Sequence, residues 1–190
     1  VGTIVTAAPA QKGLQVTIHG KASHAGVAPE EGISAILVAA EAITKMKLGR
    51  IDPETTSNIG VIKGGEATNI IPDKVELRGE ARSLDNDKLD VQVNHMVEAI
   101  NSTCHDHGAW ADIQVDHSYS AFGLGEDDVA VKLALKAAQA IGLEPLLEQV
   151  GDLADGFFLD LRPAHHPVGD ARVLRAVEEI DAEDDADRVI

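Results

Sequence analysis

Gly13-Leu14-Gln15-Val16-Thr17-Ile18-His19-Gly20 is the stretch from which the fold can be worked out. Apolar and polar side chains alternate along it, which is typical of a strand with one buried face. The side chains predicted to face the core are Leu14, Val16 and Ile18. A second stretch, Gly20-Lys21-Ala22-Ser23-His24-Ala25-Gly26, follows and leads into a helical pattern. We therefore predict a strand at residues 13–20, then a turn, then an amphipathic helix.

Helix and strand patterns continue in a fixed order. Apolar residues recur at helical spacing over residues 31–48 and 86–107, with Asp85 or Asn86 as the N-cap of the second helix. Further strand patterns cover residues 58–63, 74–82 and 111–115. The side chains of the first helix predicted to face the core are Ile33, Ile36, Leu37, Ala40, Ile43 and Leu48. The order β-α-β-β-α-β predicts an α+β fold, a ferredoxin-like two-layer sandwich, over residues 13–118.

The flanking segments have the pattern of a different domain. Residues 127–141 have helical spacing and residues 145–150 have a strand pattern, which together are typical of an α/β domain. The side chains of this helix predicted to face inward are Val129, Leu133 and Ile141. We predict that residues 1–12 and 119–190 are pieces of an incomplete α/β domain. Because the chain opens inside a strand pattern, we also expect a fragment of a longer protein.

Composition excludes several classes of partner. The 190 residues include 16 basic and 32 acidic side chains, which gives a net charge of −16. Nucleic acids and anionic membranes attract basic surfaces, so neither is a predicted partner. No apolar run approaches the roughly 20 residues that a membrane helix needs. Cys104 is the only cysteine, which excludes an internal disulfide and suits a reducing, cytoplasmic compartment.

Three polar residues near strand ends form a candidate substrate site. His24 has small neighbours that let another molecule approach its imidazole, and the ring can donate to a substrate oxygen. Asn69 and Arg82 can bind a carbonyl or carboxylate group. Each residue also has a structural interpretation: a loop histidine, an Asx turn, and an ion pair with Glu66 or Glu80. Substrate binding requires all three side chains to be exposed and free of structural hydrogen bonds.

Two histidine-containing segments have weak claims to be metal sites. Cys104 and His107 share a helical face, but Cys104 completes the apolar stripe, and histidines suit the last turn of a helix. No partner pair for Cys104, His105 and His107 stands elsewhere at zinc-finger spacing. His165 and His166 are adjacent, and adjacent side chains seldom share a metal without distant ligands. We predict no metal ligands in this chain.

Several motifs, taken in order, resemble the M20 family of zinc exopeptidases, and within it the peptidase T-like branch. The resemblance covers residues 1–150. It rests on Ala7-Ala8-Pro9-Ala10-Gln11, Ser23-His24-Ala25-Gly26, Gly64-Gly65-Glu66-Ala67-Thr68-Asn69-Ile70-Ile71-Pro72-Asp73, Gly79-Glu80-Ala81-Arg82-Ser83, and the helix from Asp87 to His107. It implies that residues 13–118 are the dimerisation or lid domain, that residues 1–12 are a strand remnant of the catalytic domain, and that residues 119–190 are a diverged part of that domain.

The resemblance also implies roles for the candidate residues. His24 would reach the active site of a partner subunit and polarise the scissile carbonyl, while Asn69 and Arg82 would hold the substrate. A homodimer would form through the helix at residues 31–48 and the strand after it. The complete enzyme would use two zinc ions and act on a peptide or an acylated amino acid.

The resemblance leaves the metal centre unaccounted for. It places nearly all zinc ligands upstream of Val1, and Leu174 stands where the one downstream histidine is expected. Residues 151–175 also depart from the family pattern. We therefore expect a fragment or degenerate member of the family that supplies dimerisation and substrate-binding residues, holds no zinc and is inactive alone. The alternative is a stand-alone dimerising interaction module without a catalytic role.

Overall fold

The computed structural model describes residues 3–149 and 159–160. The strands are β1 (Thr3–Ala8), β2 (Ala10–His19), β3 (Ser23–His24), β4 (Gly49–Arg50), β5 (Thr55–Gly64), β6 (Ile70–Ile71), β7 (Lys74–Ser83), β8 (Trp110–Tyr119), β9 (Phe122–Gly123), β10 (Leu146–Gln149) and β11 (Leu159–Asp160). The helices are α1 (Ala35–Lys45), α2 (Asn86–Asp106) and α3 (Val129–Ala140). The chain divides into two compact units, Pro9–Ala121 and Val1–Ala8 with Phe122–Ile190.

The unit Pro9–Ala121 is an antiparallel sheet with two helices on one face. The strand order is β4-β5-β7-β2-β8, and every neighbouring pair is antiparallel. Strands β2 and β7 therefore lie at the centre of the sheet. Helices α1 and α2 pack against each other and against both of these strands. The predicted ferredoxin-like α+β sandwich is confirmed.

The core of this unit lies between the sheet and the helices. The inward residues of β2 and β7 are buried, as the alternation predicted: Leu14, Val16, Ile18, Val75, Leu77 and Ala81. The α2 residues that meet them are Leu89, Val93, Met96, Ile100 and Cys104. Asp85 is the N-cap of α2, since its carboxylate accepts from the amides of Asp87 at 2.8 Å and Lys88 at 3.1 Å. Of the two residues predicted as the N-cap of this helix, Asp85 is therefore the one that caps it.

Helix α1 is shorter than the predicted helix at residues 31–48, and only part of the predicted face meets the core: Ile33, Ile43 and Leu48 pack against it, whereas Ala40 is exposed. It begins after Ser34, whose hydroxyl accepts from the amide of Leu37 at 3.3 Å, and a 3₁₀ turn at Pro29–Glu31 precedes it. Its buried side chains are Ala35, Val38, Ala39 and Ala42. Ile36 and Leu37, predicted to face the core, are 39% and 67% exposed. Both stripes have helical spacing, but the smaller side chains let α1 approach α2 and the sheet more closely.

In the other unit, β1 pairs with three strands. It is parallel to β10 and antiparallel to β9 and β11, and α3 packs against it. The buried side chains of α3 are Val131, Ala134, Ala137 and Ala138. Val129, predicted to face inward, is 67% exposed. Two residues turn a helix by about 200°, so Val129 is on nearly the opposite face from Val131.

Candidate functional site

His24 and Asn69 lie on two chain segments that pair beyond the end of the main sheet. His24 is in β3, which pairs antiparallel with β6, and Asn69 directly precedes β6. The amide of Ala25 donates to the carbonyl oxygen of Asn69 at 2.9 Å. We call residues 23–28 and 65–71 the β3–β6 arm. Two of the three candidate residues are therefore neighbours on this arm.

Two glycines allow the arm to leave the sheet. Lys21 and Ile33 exchange both of their backbone hydrogen bonds, each at 2.9 Å, which brings the two segments close together. A Cβ on Gly20 would stand 2.1 Å from the carbonyl oxygen of Ile33. A Cβ on Gly32 would stand 2.3 Å from Ser23 Oγ. Neither position has room for a side chain, so the arm depends on both glycines.

His24 is exposed and is held by three successive backbone amides. Its Nδ1 accepts from the amide of Gly26 at 3.1 Å. Its carbonyl oxygen accepts from the amides of Val27 and Ala28, each at 3.1 Å. Asn69 is also exposed, and within residues 3–149 neither its side-chain amide nor His24 Nε2 has a hydrogen-bond partner. Both side chains can therefore reach a ligand without breaking an existing contact.

Arg82 is not brought to the arm. Along the β2–β7 pair, His19 is opposite Lys74 at the end next to the arm, and Gln11 is opposite Arg82 at the other end. The eight residue steps from Lys74 to Arg82 correspond to about 26 Å of extended strand. Within one chain, the three predicted site residues thus occupy opposite ends of the sheet.

Arg82 is also engaged, which contradicts the expectation of a free guanidinium. Its Nε and Nη2 donate to the two carboxylate oxygens of Glu80, at 3.0 Å and 3.1 Å. Gln11 Nε2 donates to Glu80 Oε2 at 2.7 Å, and the Arg82 side chain is only 16% exposed. Residues two apart on a strand share a face, so the spacing of Glu80 and Arg82 was a signal for this contact. Of the two acids offered as ion-pair partners of Arg82, Glu80 is the one it contacts, whereas Gln11, which binds the same carboxylate, was not predicted.

The described residues do not fit a zinc site. They contain no group of three or more His, Cys, Asp or Glu side chains placed to hold a metal ion. Cys104 is buried in the sandwich core, and burial raises the pKa of its thiol. His107 Nε2 is 2.7 Å from a carboxylate oxygen of Glu41. His165, His166 and Leu174 lie outside the described residues.

A second candidate region is an apolar surface formed by α1 and the outer edge of β5. Strand β4 pairs only with residues 56–57 of β5, so from Asn58 onward this edge has no strand partner in the described part of the chain. The exposed apolar side chains on the helix side are Ile36, Leu37 and Ile62. A Cβ on Gly65 would be 3.3 Å from Ile36 Cδ1, so α1 and the end of β5 are adjacent. We call this region the α1–β5 surface. None of the helices in residues 3–149 is long and apolar enough to cross a membrane.

The family model of the M20 peptidase dimerisation domain matches residues 8–108. The chain belongs to this family. The match covers the β3–β6 arm, the α1–β5 surface and all of the sandwich except β8. The M20 resemblance drawn from the motifs is therefore confirmed.

Three similar proteins match a longer part of the chain than the family model does. The uncharacterized protein YqjE of Bacillus subtilis is 45% identical over 155 residues, which are 82% of this chain and 42% of that protein. The crystal structure of aminopeptidase PepT from Bacillus cereus is 50% identical, with a TM-score of 0.74, over 80% of this chain and 41% of that one. A tripeptidase structure from Staphylococcus aureus is 41% identical, with a TM-score of 0.72, over 78% of this chain and 40% of that one. The chain thus spans about two fifths of the length of these relatives.

Proposed function

We propose that this chain is the dimerisation and substrate-binding part of a dinuclear zinc exopeptidase that acts on peptides, and that it works as a homodimer. The observation that carries the proposal is the position of His24 and Asn69 on an exposed arm outside the sandwich core. The aminopeptidase and tripeptidase among its relatives support a peptide substrate. The described residues offer no zinc-binding group, so we assign no catalytic step to a metal in this chain.

The α1–β5 surface supports the homodimer. An unpaired strand edge next to exposed apolar side chains is the kind of surface that a second copy can cover. Two β5 strands related by a two-fold axis run antiparallel and extend the sheet, and the two α1 helices then lie side by side. This interface uses the predicted helix and the strand after it.

The same symmetry resolves the separation of the three site residues. In an antiparallel β5 pair, the end of one strand meets the start of the other. Gly64, which leads into the arm, is at the end of β5, and Thr56 near its start is opposite Arg82. The arm of one subunit therefore comes to the Arg82 end of the other. We infer a composite site in which His24 and Asn69 of one subunit face Arg82 of its partner.

The chemistry of each side chain suits this composite site. The imidazole of His24 donates a hydrogen bond to the scissile carbonyl oxygen as negative charge develops on it. The amide of Asn69 and the guanidinium of Arg82 bind the backbone or carboxylate of the substrate. Arg82 does not meet the requirement for a free side chain, and we propose instead that Glu80 orients its guanidinium for this contact. None of the described residues would hold zinc; in a complete enzyme the metal would supply an activated water.

The dimer is tested by light scattering on two matched variants. Leu37→Asp places a charge on the α1–β5 surface, whereas Val91→Asp places one on α2 at a residue of similar exposure, 69% against 67%. We expect a dimer for the unchanged chain and for Val91→Asp, and a monomer for Leu37→Asp. A monomer at high micromolar concentration for the unchanged chain would contradict the proposal.

The composite site can be tested in a restored enzyme, made by joining this chain to the metal-binding part of a relative. Subunits of that enzyme that carry inactivating substitutions are then mixed in pairs. His24→Ala and Arg82→Ala should each abolish most turnover. A mixture of the two should recover activity, because each mixed dimer keeps one complete site. A mixture of His24→Ala and Asn69→Ala should stay inactive, because both arms are then defective. Failure of the first mixture to recover would exclude the composite site.

The alternative is a stand-alone dimerising module, which the α1–β5 surface supports equally well because it concerns only dimerisation. It predicts a stable dimer in which His24→Ala has no effect on any restored turnover. Reduced turnover in that variant therefore separates the two functions.

A further inference from the structure

The ring of His24 is fixed through one specific nitrogen. The amide of Gly26 donates to Nδ1 at 3.1 Å. A Cβ on Gly26 would lie 3.6 Å from His24 Cε1 and 3.8 Å from Nδ1, so the imidazole lies against the backbone of Gly26. The amides of Val27 and Ala28 fix the carbonyl of the same residue, each at 3.1 Å. An exposed histidine is thus held at both its backbone and its ring.

An accepting nitrogen must carry a lone pair. Neutral imidazole has one N–H donor and one acceptor nitrogen. If Nδ1 accepts from the amide of Gly26, the single ring proton is on Nε2. The Nε2 atom has no partner within residues 3–149, so this N–H is available to a ligand.

We propose that the amide of Gly26 is a positioning group that holds His24 in the Nε2–H tautomer and so makes it a hydrogen-bond donor to the substrate carbonyl. This inference rests on the proposed function of His24. The opposite tautomer would present a lone pair at Nε2, which repels a carbonyl oxygen instead of polarising it. A donor that is already oriented before substrate arrives also avoids reorganisation during the reaction. Gly26 acts only through His24 and does not touch the substrate.

The tautomer is tested directly by NMR on the full chain labelled with ¹⁵N. The signals of His24 are identified among the eight histidines by their loss in His24→Ala. Long-range ¹H–¹⁵N correlations, recorded at a pH where the ring is neutral, should show the proton on Nε2. A scalar coupling across the hydrogen bond should connect the Gly26 nitrogen with Nδ1. A proton on Nδ1, or the absence of this coupling, would overturn the proposal without involving any variant.

Two variants of Gly26 give a functional comparison in the restored enzyme. Gly26→Pro removes the N–H, whereas Gly26→Ala keeps it and adds a Cβ at ordinary contact distance. We expect Gly26→Pro to lower kcat about 2- to 10-fold with little change in KM, the effect of losing one hydrogen bond, and to show both tautomers. Gly26→Ala should match the unchanged enzyme in both measurements. Equal kcat values and tautomer ratios in the two variants would contradict the role of Gly26.

The outcomes distinguish this inference from the proposed function. Unchanged turnover in His24→Ala would remove the catalytic role of His24 and leave the tautomer measurement valid. A large loss in His24→Ala together with a proton on Nδ1 would keep the catalytic role and refute the role of Gly26.

Discussion

The β3–β6 arm packs tightly against the segment that precedes α1, as the contact between Ser23 and Gly32 shows. A Cβ on Gly32 would be 2.3 Å from Ser23 Oγ and 2.9 Å from Ile71 Cγ2. Ser23 Oγ is itself buried and has no hydrogen-bond partner within the part of the chain that the structure describes. A buried hydroxyl without a partner costs about 1–3 kcal/mol. The packing at this site therefore depends on the small size of residue 32, while the Ser23 hydroxyl opposes folding.

This packing predicts opposite effects for two alanine substitutions. Ser23→Ala should raise the free energy of unfolding by about 1 kcal/mol, because it removes an unsatisfied hydroxyl. Gly32→Ala should lower it by about 1–3 kcal/mol through overpacking. The double variant should recover part of that loss, because the nearest clashing atom is gone. Urea unfolding, followed by circular dichroism, measures the free energy of unfolding of all three variants. A lower value for Ser23→Ala than for the unchanged chain would mean that the hydroxyl has a partner.

The sequence selects His24, Asn69 and Arg82 as candidates but does not reveal the state of Arg82. Side-chain type and position at a strand end are visible in a sequence, so candidate residues can be selected from it. The distance between Asn69 and Arg82 follows from the length of β7, which separates them, and the predicted strand at residues 74–82 already implied it. The pairing of Arg82 with Glu80 follows from strand geometry, but which of two nearby acids it chooses depends on the folded sheet.

At the scale of elements, the turn between β4 and β5 is held by one carboxylate. Asp52 Oδ1 accepts from the amides of Glu54 and Thr55, each at 2.9 Å. The hydrogen bond from Glu54, followed by that from Thr55 and the charge of Lys88, lowers the pKa of Asp52. A lowered carboxyl pKa stabilises the fold above the ordinary pKa and loses this effect as pH falls through the folded-state value.

This turn should therefore loosen only in acid. The amide resonances of Glu54 and Thr55 should titrate together, with a midpoint below the value of about 4 that is ordinary for aspartate. Asp52→Asn should abolish the titration, because its amide oxygen remains an acceptor but has no acidic proton. The measurement is a series of ¹H–¹⁵N spectra against pH. A midpoint at or above the ordinary value would contradict the assigned hydrogen bonds.

Helix α1 shows which feature of an element the sequence leaves undecided. Its existence followed from helical spacing, but two apolar stripes share that spacing, one with Ile36 and Leu37 and one with Ala35 and Val38. The structure buries the second stripe, while Ile36 and Leu37 of the predicted stripe are exposed. The choice depends on how closely α2 and the sheet approach, which is a property of tertiary packing. In α2, by contrast, the side chains that meet the core from Leu89 to Cys104 form a single apolar stripe.

At the scale of the whole molecule, the main core belongs to one unit. The buried cluster runs from Ala10 to Cys104, and its partly buried neighbours extend to Ala121. All of these residues lie within Pro9–Ala121. Strand β8 pairs with β2 along nearly its whole length, so it is part of this unit and not an addition to it.

Residues 9–121 should therefore fold alone. We expect a cooperative urea transition, with Cys104 unreactive towards a thiol reagent until that transition, because the thiol is buried and its pKa is raised. A shorter chain, residues 9–109, lacks β8 and should not give a cooperative transition. Gradual unfolding of residues 9–121, or rapid labelling of Cys104 in the absence of urea, would contradict this prediction.

The outer edge of β8 bears on how many copies of the chain can associate. Like the edge of β5, it has no strand partner among the described residues. A sheet that is open on both sides can in principle polymerise without limit. Exposed carboxylates at Asp112 and Asp116 on β8 would face like charges if two such edges met. We therefore expect the proposed pairing to use the β5 edge and not the β8 edge, so that the acidic strand would limit the assembly to a pair instead of a fibre.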